Sequence, residues 1–332
     1  MKKKSAEPTV TEVAARAGVS IATVSRVLND KGNVRSSTVE RVSAAMESLG
    51  YLRPEPVVPD RKGLIVVVLP NLDNPFYAKI VKGIQVSAKN RGLETLVFAE
   101  TNLDEHAKRL TDLLHTINAG GCILLSPVNN EAALNAIDSV APVVQCAEYN
   151  ERSPLPYVSV DDFSAAKNAV GTLLQRGRKR VALINGPDKF KYARQRYRGY
   201  AEALLEAGIA VDPTLVFKVT EMGFDSSFAV ARQLLTTQEK PDAILATSDM
   251  FAAAVVKAAN TEGVKIPEDC SLIGFDNTYI SMVSHPSVTA VNMPQFQLGY
   301  MACEMLADRM QNPTGEPRHV LLKTELVLRD SI

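Results

Sequence analysis

Residues 64–69, Leu-Ile-Val-Val-Val-Leu, are six apolar residues in a row. A strand with one wet face alternates apolar and polar side chains. An unbroken run instead fits a strand covered on both faces, as in a parallel sheet flanked by helices. The chain beyond it keeps to that scheme. Residues 76–91 read as a helix, 95–99 as a strand, 104–118 as a helix, 122–125 as a strand, 131–138 as a helix and 143–146 as a strand. A second series has strands at 157–160, 181–184, 243–246 and 272–275, with helices near 164–176, 194–207, 226–236 and 250–261. Strands alternating with helices imply parallel sheets and right-handed crossovers. Residues 295–311 read as a helix returning to the first lobe and 321–328 as a strand returning to the second. The expected lobes are about 63–156 with 293–319, and about 157–292 with 320–332. Their facing edges make a cleft at the carboxyl ends of the strands, where open α/β sheets bind ligands.

Residues 1–53 follow another pattern. Val10, Val13, Ala14 and Ala17 share one helical face; Thr9 with Glu12 forms a capping-box pattern, and Gly18 supplies a left-handed stop. Val19 then plugs the corner, Ser20 caps a second helix, and Val24, Val27 and Leu28 point back at the first. Ile21, Ala22, Ser25, Arg26 and Asn29 face outward. A third helix is expected with Ser37 as cap, Glu40 closing its box, a buried stripe of Val39, Val42, Met46 and Leu49, and Gly50 as stop. The plain reading is a three-helix bundle with a polar outer face. The sharper one is a helix-turn-helix whose second helix enters the DNA major groove. Its Arg can bind guanine bidentately, its Ser and Asn can bind base edges or phosphate, and its small apolar groups can meet a thymine methyl. Charge favours the sharper reading. Residues 1–53 hold nine Lys/Arg against five Asp/Glu, whereas the whole chain balances at 37 each, so the remainder is net acidic. A basic head on an acidic body fits phosphate binding by the head alone.

The segments Val13-Ala14, Ala17-Gly18-Val19-Ser20, Thr23-Val24-Ser25-Arg26-Val27-Leu28-Asn29, Val34 and Leu49-Gly50-Tyr51 resemble the head of the LacI/GalR family of bacterial transcription regulators. The resemblance implies that Ile21 and Ala22 choose operator bases and that Arg26 and Asn29 contact bases and backbone. Thr9, Ser20, Thr23, Ser25 and Asn33 complete the expected DNA-binding set. It also implies a homodimer on near-palindromic double-stranded operator DNA, and a two-lobed, periplasmic-binding-protein-like sensor as residues 63–332, the effector-binding and dimerisation domain. Between head and sensor lies a linker, 54–62, with Pro54, Pro56 and Pro59, extended and stiff by composition. The family's hinge helix, with its Asn cap, Ala and minor-groove Leu, is not matched there, and Asp60 falls near the Leu position. Nucleoside-responsive members have similarly degenerate linkers.

Polar and aromatic residues at strand ends are the candidate ligand contacts: Asp73, Asn74 and Phe76 after the first strand, Ser126, Asp161, Phe190 and Tyr192, and Ser248, Asp249 and Asp276. The resemblance adds Arg196 as the clamping cation, Asp276 in Gly-Phe-Asp-Asn as the pocket carboxylate, and Phe224 and Gln295 as pocket lining. Each has a plainer alternative: Asp249 as a helix cap, Phe190 as core. Asn-Pro-Phe at 74–76 resembles sugar-binding members. Ser248, where many sugar sensors carry Asn, and the pair Phe190 and Tyr192 keep a nucleoside open. No metal or cofactor is expected. Cys122, Cys146, Cys270 and Cys303 sit in apolar contexts without ligand spacing, as buried thiols of a reducing cytoplasm do. No run reaches membrane-spanning length and Lys2-Lys3-Lys4 leads into polar residues, so a cytoplasmic protein is expected. An enzyme acting on a sugar or nucleoside is the first competing class, but no phosphate-binding glycine motif or nucleophile–His pairing is evident. A free solute-binding protein is the second; it would need an export signal and no DNA head.

Overall fold

The computed structural model describes residues 8–28, 34–49, 51, 63–220 and 223–332. Asn29, Asn33, Gly50, the side chain of Leu28 and the linker 54–62 lie outside the described residues. The chain divides into two compact units, a head and a body.

The head is three helices, α1 (Val10–Ala17), α2 (Ile21–Leu28) and α3 (Ser36–Leu49). Thr9 accepts from the Glu12 amide through its side chain, and the Glu12 carboxylate accepts from the Thr9 amide at 2.7 Å, closing the capping box. Gly18 ends α1 at φ 63°, a conformation that only glycine enters without steric cost. Ser20 Oγ accepts from the Thr23 amide at 3.2 Å and starts α2. Val13, Ala14, Ala17, Val24, Val42 and Ala45 form the core, with Val10, Val19, Val27, Met46, Leu49 and Tyr51 packed around it. The third helix departs from expectation. It begins at Ser36, so Ser37 is inside the first turn rather than its cap; Val39 is exposed and Ala45 takes its place in the buried stripe. Val39 and Val42 both suit a three-residue spacing, but only Val42 falls over α1.

The body alternates as its sequence requires: β1 (Leu64–Leu69), α4 (Pro75–Asn90), β2 (Glu94–Ala99), α5 (Leu103–Thr116), β3 (Gly121–Leu124), α6 (Glu131–Val140), β4 (Val143–Cys146), β5 (Tyr157–Val160), α7 (Asp162–Gln175), β6 (Val181–Asn185), α8 (Lys191–Glu206), β7 (Val216–Lys218), α9 (Phe224–Thr236), β8 (Ala243–Ala246), α10 (Asp249–Glu262), β9 (Ser271–Asp276), α11 (Tyr279–Val283), β10 (Thr289–Asn292), α12 (Gln295–Gln311), β11 (His319–Leu322) and β12 (Glu325–Val327). The first sheet runs β11-β5-β4-β3-β1-β2 and the second β12-β10-β9-β8-β6-β7. Every pairing is parallel except β10 with β12. Ile65, Val66, Val67 and Val68 are wholly buried, as the unbroken apolar run demands.

Two lobe assignments are corrected. Residues 157–160 belong to the first sheet, where Tyr157 pairs with Gln145 and Val158 with Cys146. The 321–328 segment is divided: His319–Leu322 pairs with β5 in the first sheet, and only Glu325–Val327 reaches the second. Apolar patterning tells how a strand is buried but not which sheet holds it. The chain thus passes between lobes after β5, after β10 and between β11 and β12. The strands β7 and β10 and the five-residue α11 were not anticipated. Inside lobe one, α4 and α12 touch backbone to backbone: a Cβ on Gly83 would lie 2.1 Å from the Phe296 carbonyl oxygen, and one on Gly299 would lie 1.9 Å from that of Ile80.

Candidate functional site

The loops at the carboxyl ends of both sheets enclose a cleft lined by Asn74, Phe76, Tyr77, Leu125, Ala147, Glu148, Asp162, Tyr192, Arg196, Thr247, Ser248, Asp276 and Met293. Lobe one contributes the residues from Asn74 to Glu148, and lobe two most of the rest.

Arg196 is the centre of its charge. Nε donates to Asp162 Oδ1 at 2.8 Å, Nη1 to the Thr247 carbonyl at 2.6 Å, and the guanidinium plane lies 3.9 Å from the Phe275 ring centre. It also lies 4.7 Å from the Tyr192 ring centre. Asp162 Oδ2 accepts from Lys191 Nζ at 2.7 Å, and that ammonium also donates to Ser159 Oγ and sits above the Tyr149 ring. Burial pushes the Asp162 carboxyl up, but Lys191 and Arg196 outweigh it and hold the group below the ordinary aspartate range. Asp276 is buried at φ 87°, and its Oδ2 accepts from the Asp249 amide at 3.3 Å. Burial raises its pKa against the pull of Arg196. Behind it, Asp249 Oδ2 accepts from the amide and hydroxyl of Thr278 at 2.5 and 2.8 Å. Burial and the neighbouring Asp276 charge push the Asp249 carboxyl up to about 7. Burial likewise pushes Glu148 up to about 7, with Lys191 opposing.

Six expected ligand contacts line this cleft: Asn74, Phe76, Tyr192, Arg196, Ser248 and Asp276. Seven are placed elsewhere. Asp73 is exposed on the loop before α4. Asp161 is the exposed cap of α7, its carboxylate accepting from the Ser164 amide and hydroxyl; a capping carboxylate must turn back toward its own helix, so its neighbour Asp162 is the one that faces inward. Phe190 is buried core at 2% exposure. Phe224 lies at the start of α9, stacked on Phe228 at 6.1 Å. Ser126 is buried and donates to the Glu100 carbonyl. Asp249 braces the loop behind the cleft, and Gln295 donates to the Asp276 carbonyl from the same rear position. Sequence reasoning missed Glu148 and Asp162 among the charged lining. Two adjacent aspartates at a strand end carried a signal for the second: the first, three residues before Ser164, was the natural cap.

In the head, Ile21, Ala22, Ser25 and Arg26 are exposed on one side of α2, with Ile21 at 52%. Thr9, Ser20 and Thr23 take part in the caps at the starts of α1 and α2.

The head matches the family model for bacterial regulatory proteins of the lacI family over residues 9–54, and residues 170–332 match that for a periplasmic binding protein-like domain. Over 335 residues the chain is 33% identical to the HTH-type transcriptional repressor CytR of Escherichia coli strain K12, covering 99% of this chain and 98% of that one. The chain belongs to the LacI family. It is a DNA-binding transcriptional regulator with an N-terminal helix-turn-helix and an effector-binding domain of two parallel α/β lobes. Another LacI-family relative, the HTH-type transcriptional regulator CelR of Thermobifida fusca, is 32% identical over 98% of both chains. Among solved structures, a transcriptional regulator CelR–cellobiose complex superposes with a TM-score of 0.75 at 32% identity, covering 98% of this chain and 99% of that one. The lac repressor dimer bound to operator and the anti-inducer ONPF gives 0.73 at 25% identity, covering 98% and 99%. No helix among the described residues is long and apolar enough to cross a membrane.

Proposed function

We propose that this LacI-family chain is a homodimeric repressor, working in the cytoplasm as a regulator rather than an enzyme, whose hold on near-palindromic operator DNA changes when a sugar or nucleoside enters the cleft. The observation that carries this reading is the cleft itself: the buried Arg196 and the carboxylates of Glu148, Asp162 and Asp276 converge there beside the rings of Phe76, Tyr77 and Tyr192. Such groups are costly to bury without polar partners, and aromatic rings beside them suit a ring-shaped polar ligand. Arg196 and Asp276 are its proposed clamps, Asn74, Ser248 and Tyr192 the hydrogen-bonding wall, and Phe76 the stacking face. In the head, Ile21, Ala22 and Arg26 are the proposed readers, and Thr9, Ser20, Thr23, Ser25, Asn29 and Asn33 are the further proposed DNA contacts. Dimerisation is supported by apolar side chains left exposed on α11, where Tyr279, Met282 and Val283 are 58%, 50% and 74% exposed. The CelR–cellobiose complex favours a sugar, and Ser248 keeps a nucleoside in play. The test is a thermal-shift screen of sugars, nucleosides and nucleobases, followed by gel shifts on operator DNA with the compound that scores. Asp276→Ala should lose both the shift and the compound's effect on DNA while binding DNA unaided. A mutant that still responds on DNA would place the sensor site elsewhere.

A further inference from the structure

Carboxyls outnumber cations in the cleft. Among the described residues, those of Glu148, Asp162, Asp276 and, behind it, Asp249 stand against the cations Arg196 and Lys191. With one proton shared by the adjoining Asp249 and Asp276, the carboxylates still exceed the cations. The cations are also engaged already. Arg196 puts Nε and Nη2 on Asp162 Oδ1, both at 2.8 Å, and Nη1 on the Thr247 carbonyl. The fork that would grip a phosphate in two parallel bonds is turned on a carboxylate of the protein itself. Lys191 Nζ is held by Asp162 Oδ2 and Ser159 Oγ.

Helix N-termini are the other places where proteins bind phosphate, through backbone N–H groups without partners. Those around the cleft are occupied. The first residue of α4 is Pro75, which has no N–H, and Asn74 Oδ1 accepts from the Phe76 amide at 3.0 Å. At α10, Asp276 Oδ2 accepts from the Asp249 amide and Ser248 Oγ from the Met250 amide at 3.2 Å. At α8, Glu148 accepts from the Lys191 and Tyr192 amides at 2.6 and 3.1 Å. The contacts of Arg196, α4 and α10 each lie within one lobe, so they do not depend on how far apart the lobes stand.

We propose that the cleft takes an uncharged ring compound bearing hydroxyl or amino groups and rejects its phosphate ester: of a sugar and its sugar phosphate, or a nucleoside and its nucleotide, the unphosphorylated member is the effector. Ionised carboxylates accept hydrogen bonds and donate none, so Asp276 and Glu148, with the Thr247 carbonyl beside them, call for donors on the ligand. Sugar hydroxyls and exocyclic amines supply them. A phosphate monoester near neutrality brings acceptor oxygens and about −1.5 to −2 of charge. Beside the buried Asp276, Asp162 and Glu148 it meets like charge where water and salt screen poorly. Like charges placed so close weaken binding by at least about a hundredfold.

This ligand class rests on the effector reading proposed above, and two measurements let either fail alone. The first needs no ligand. Methyl resonances of Leu125, Ala147 and Met293, which line the cleft, are recorded by NMR in the full-length protein with a cationic and then an anionic nitroxide of matched size. The relaxation each causes reports how strongly its charge gathers nearby. Cleft methyls should be relaxed several-fold more by the cation than by the anion, beyond the ratio at the exposed Val140, Leu205 and Leu328, and Asp276→Asn should lower the cleft ratio. Should that variant fail to fold, the wild-type ratio against its exposed controls decides. The second measurement is calorimetry on glucose, cellobiose, adenosine and cytidine, each against its monophosphate. A parent compound that binds should lose at least about a hundredfold in affinity on phosphorylation. A cleft ratio no higher than at the controls, or a phosphate that binds as well as its parent, overturns the proposal while the effector reading stands. Cation enrichment in the cleft with no compound of either kind bound supports the charge assignment and counts against the effector reading alone.

Discussion

Asp162 holds two buried cations, taking the cleft's Arg196 Nε on Oδ1 at 2.8 Å and Lys191 Nζ on Oδ2 at 2.7 Å. Arg196 spends a further donor on the Thr247 carbonyl, so its position is set by lobe-two atoms before any ligand arrives. Removing one partner of a buried ion pair leaves the other charge uncompensated, at a cost of about 3–5 kcal/mol.

Asp162→Asn should therefore lose roughly 3 kcal/mol in urea unfolding, although it keeps the shape of the side chain. The depressed carboxyl sets the pH window. Its contribution is whole above the ordinary aspartate range and is lost as pH falls through the lower folded value. Wild type should thus lose stability in acid more steeply than the variant. Equal acid profiles would mean that the pair adds nothing.

The Asp249 carboxyl carries the opposite sign. With its folded value raised to about 7 from an ordinary 3.8, its contribution is full below the ordinary value and is lost as pH rises through 7. Thermal midpoints of the body should fall between about pH 4 and 7 and level off above that. Asp249→Asn should flatten that slope by up to roughly 1.4 kcal/mol per pH unit. Glu148 has the same sign, so a residual slope should persist. A variant with the wild-type slope would exclude Asp249 as its source.

Much of this architecture was legible in the chain, for reasons visible at particular residues. Leu64–Leu69 could be little but a doubly covered strand, and Thr9, Glu12 and Gly18 mark both ends of α1 by chemistry acting within four residues. Helix α12 was readable over its whole length. What was not legible depends on contacts distant in sequence. Whether 157–160 joins the first sheet or the second is decided by its pairing with β4, not by its own pattern. Asp161 looks like a cleft residue from its position after a strand and Phe224 from the family resemblance, but helix capping and local ring stacking turn them away. Glu148 had no motif at all: its partners are two amides 43 and 44 residues away.

Two helical glycines should respond oppositely to alanine. A Cβ on Gly299 would meet the Ile80 carbonyl oxygen at 1.9 Å, which forces α12 away from α4. Gly299→Ala should lose about 3 kcal/mol, at the upper end for overpacking. Gly171, inside α7, has nothing within 4 Å of its would-be Cβ. Gly171→Ala should gain about 0.5–1 kcal/mol from helix propensity alone. Urea midpoints of the two variants settle it; a neutral Gly299→Ala would mean that the helix contact yields easily.

The head offers the sharpest separation of roles. Ile21 and Ala22 open α2, exposed and apolar; Arg26, four residues beyond Ala22, lies on the same face one turn later. Short apolar side chains can select bases only by shape and methyl contact, whereas Arg26 can form paired bonds to guanine or hold a phosphate. Exchanging Ile21 and Ala22 for another pair should change the half-site recovered from a random DNA pool while total affinity on the new site stays comparable. Arg26→Ala should cost about 1–3 kcal/mol of operator affinity. If its partner is guanine, the loss falls on sites with that base and specificity there relaxes. If its partner is phosphate, affinity falls evenly on all sequences and the salt dependence weakens by about one unit of slope. Gel shifts at several salt concentrations on matched and mismatched operators distinguish the two, with circular dichroism to show the head intact. Undiminished affinity in the folded Arg26→Ala protein would remove α2 from the DNA interface altogether.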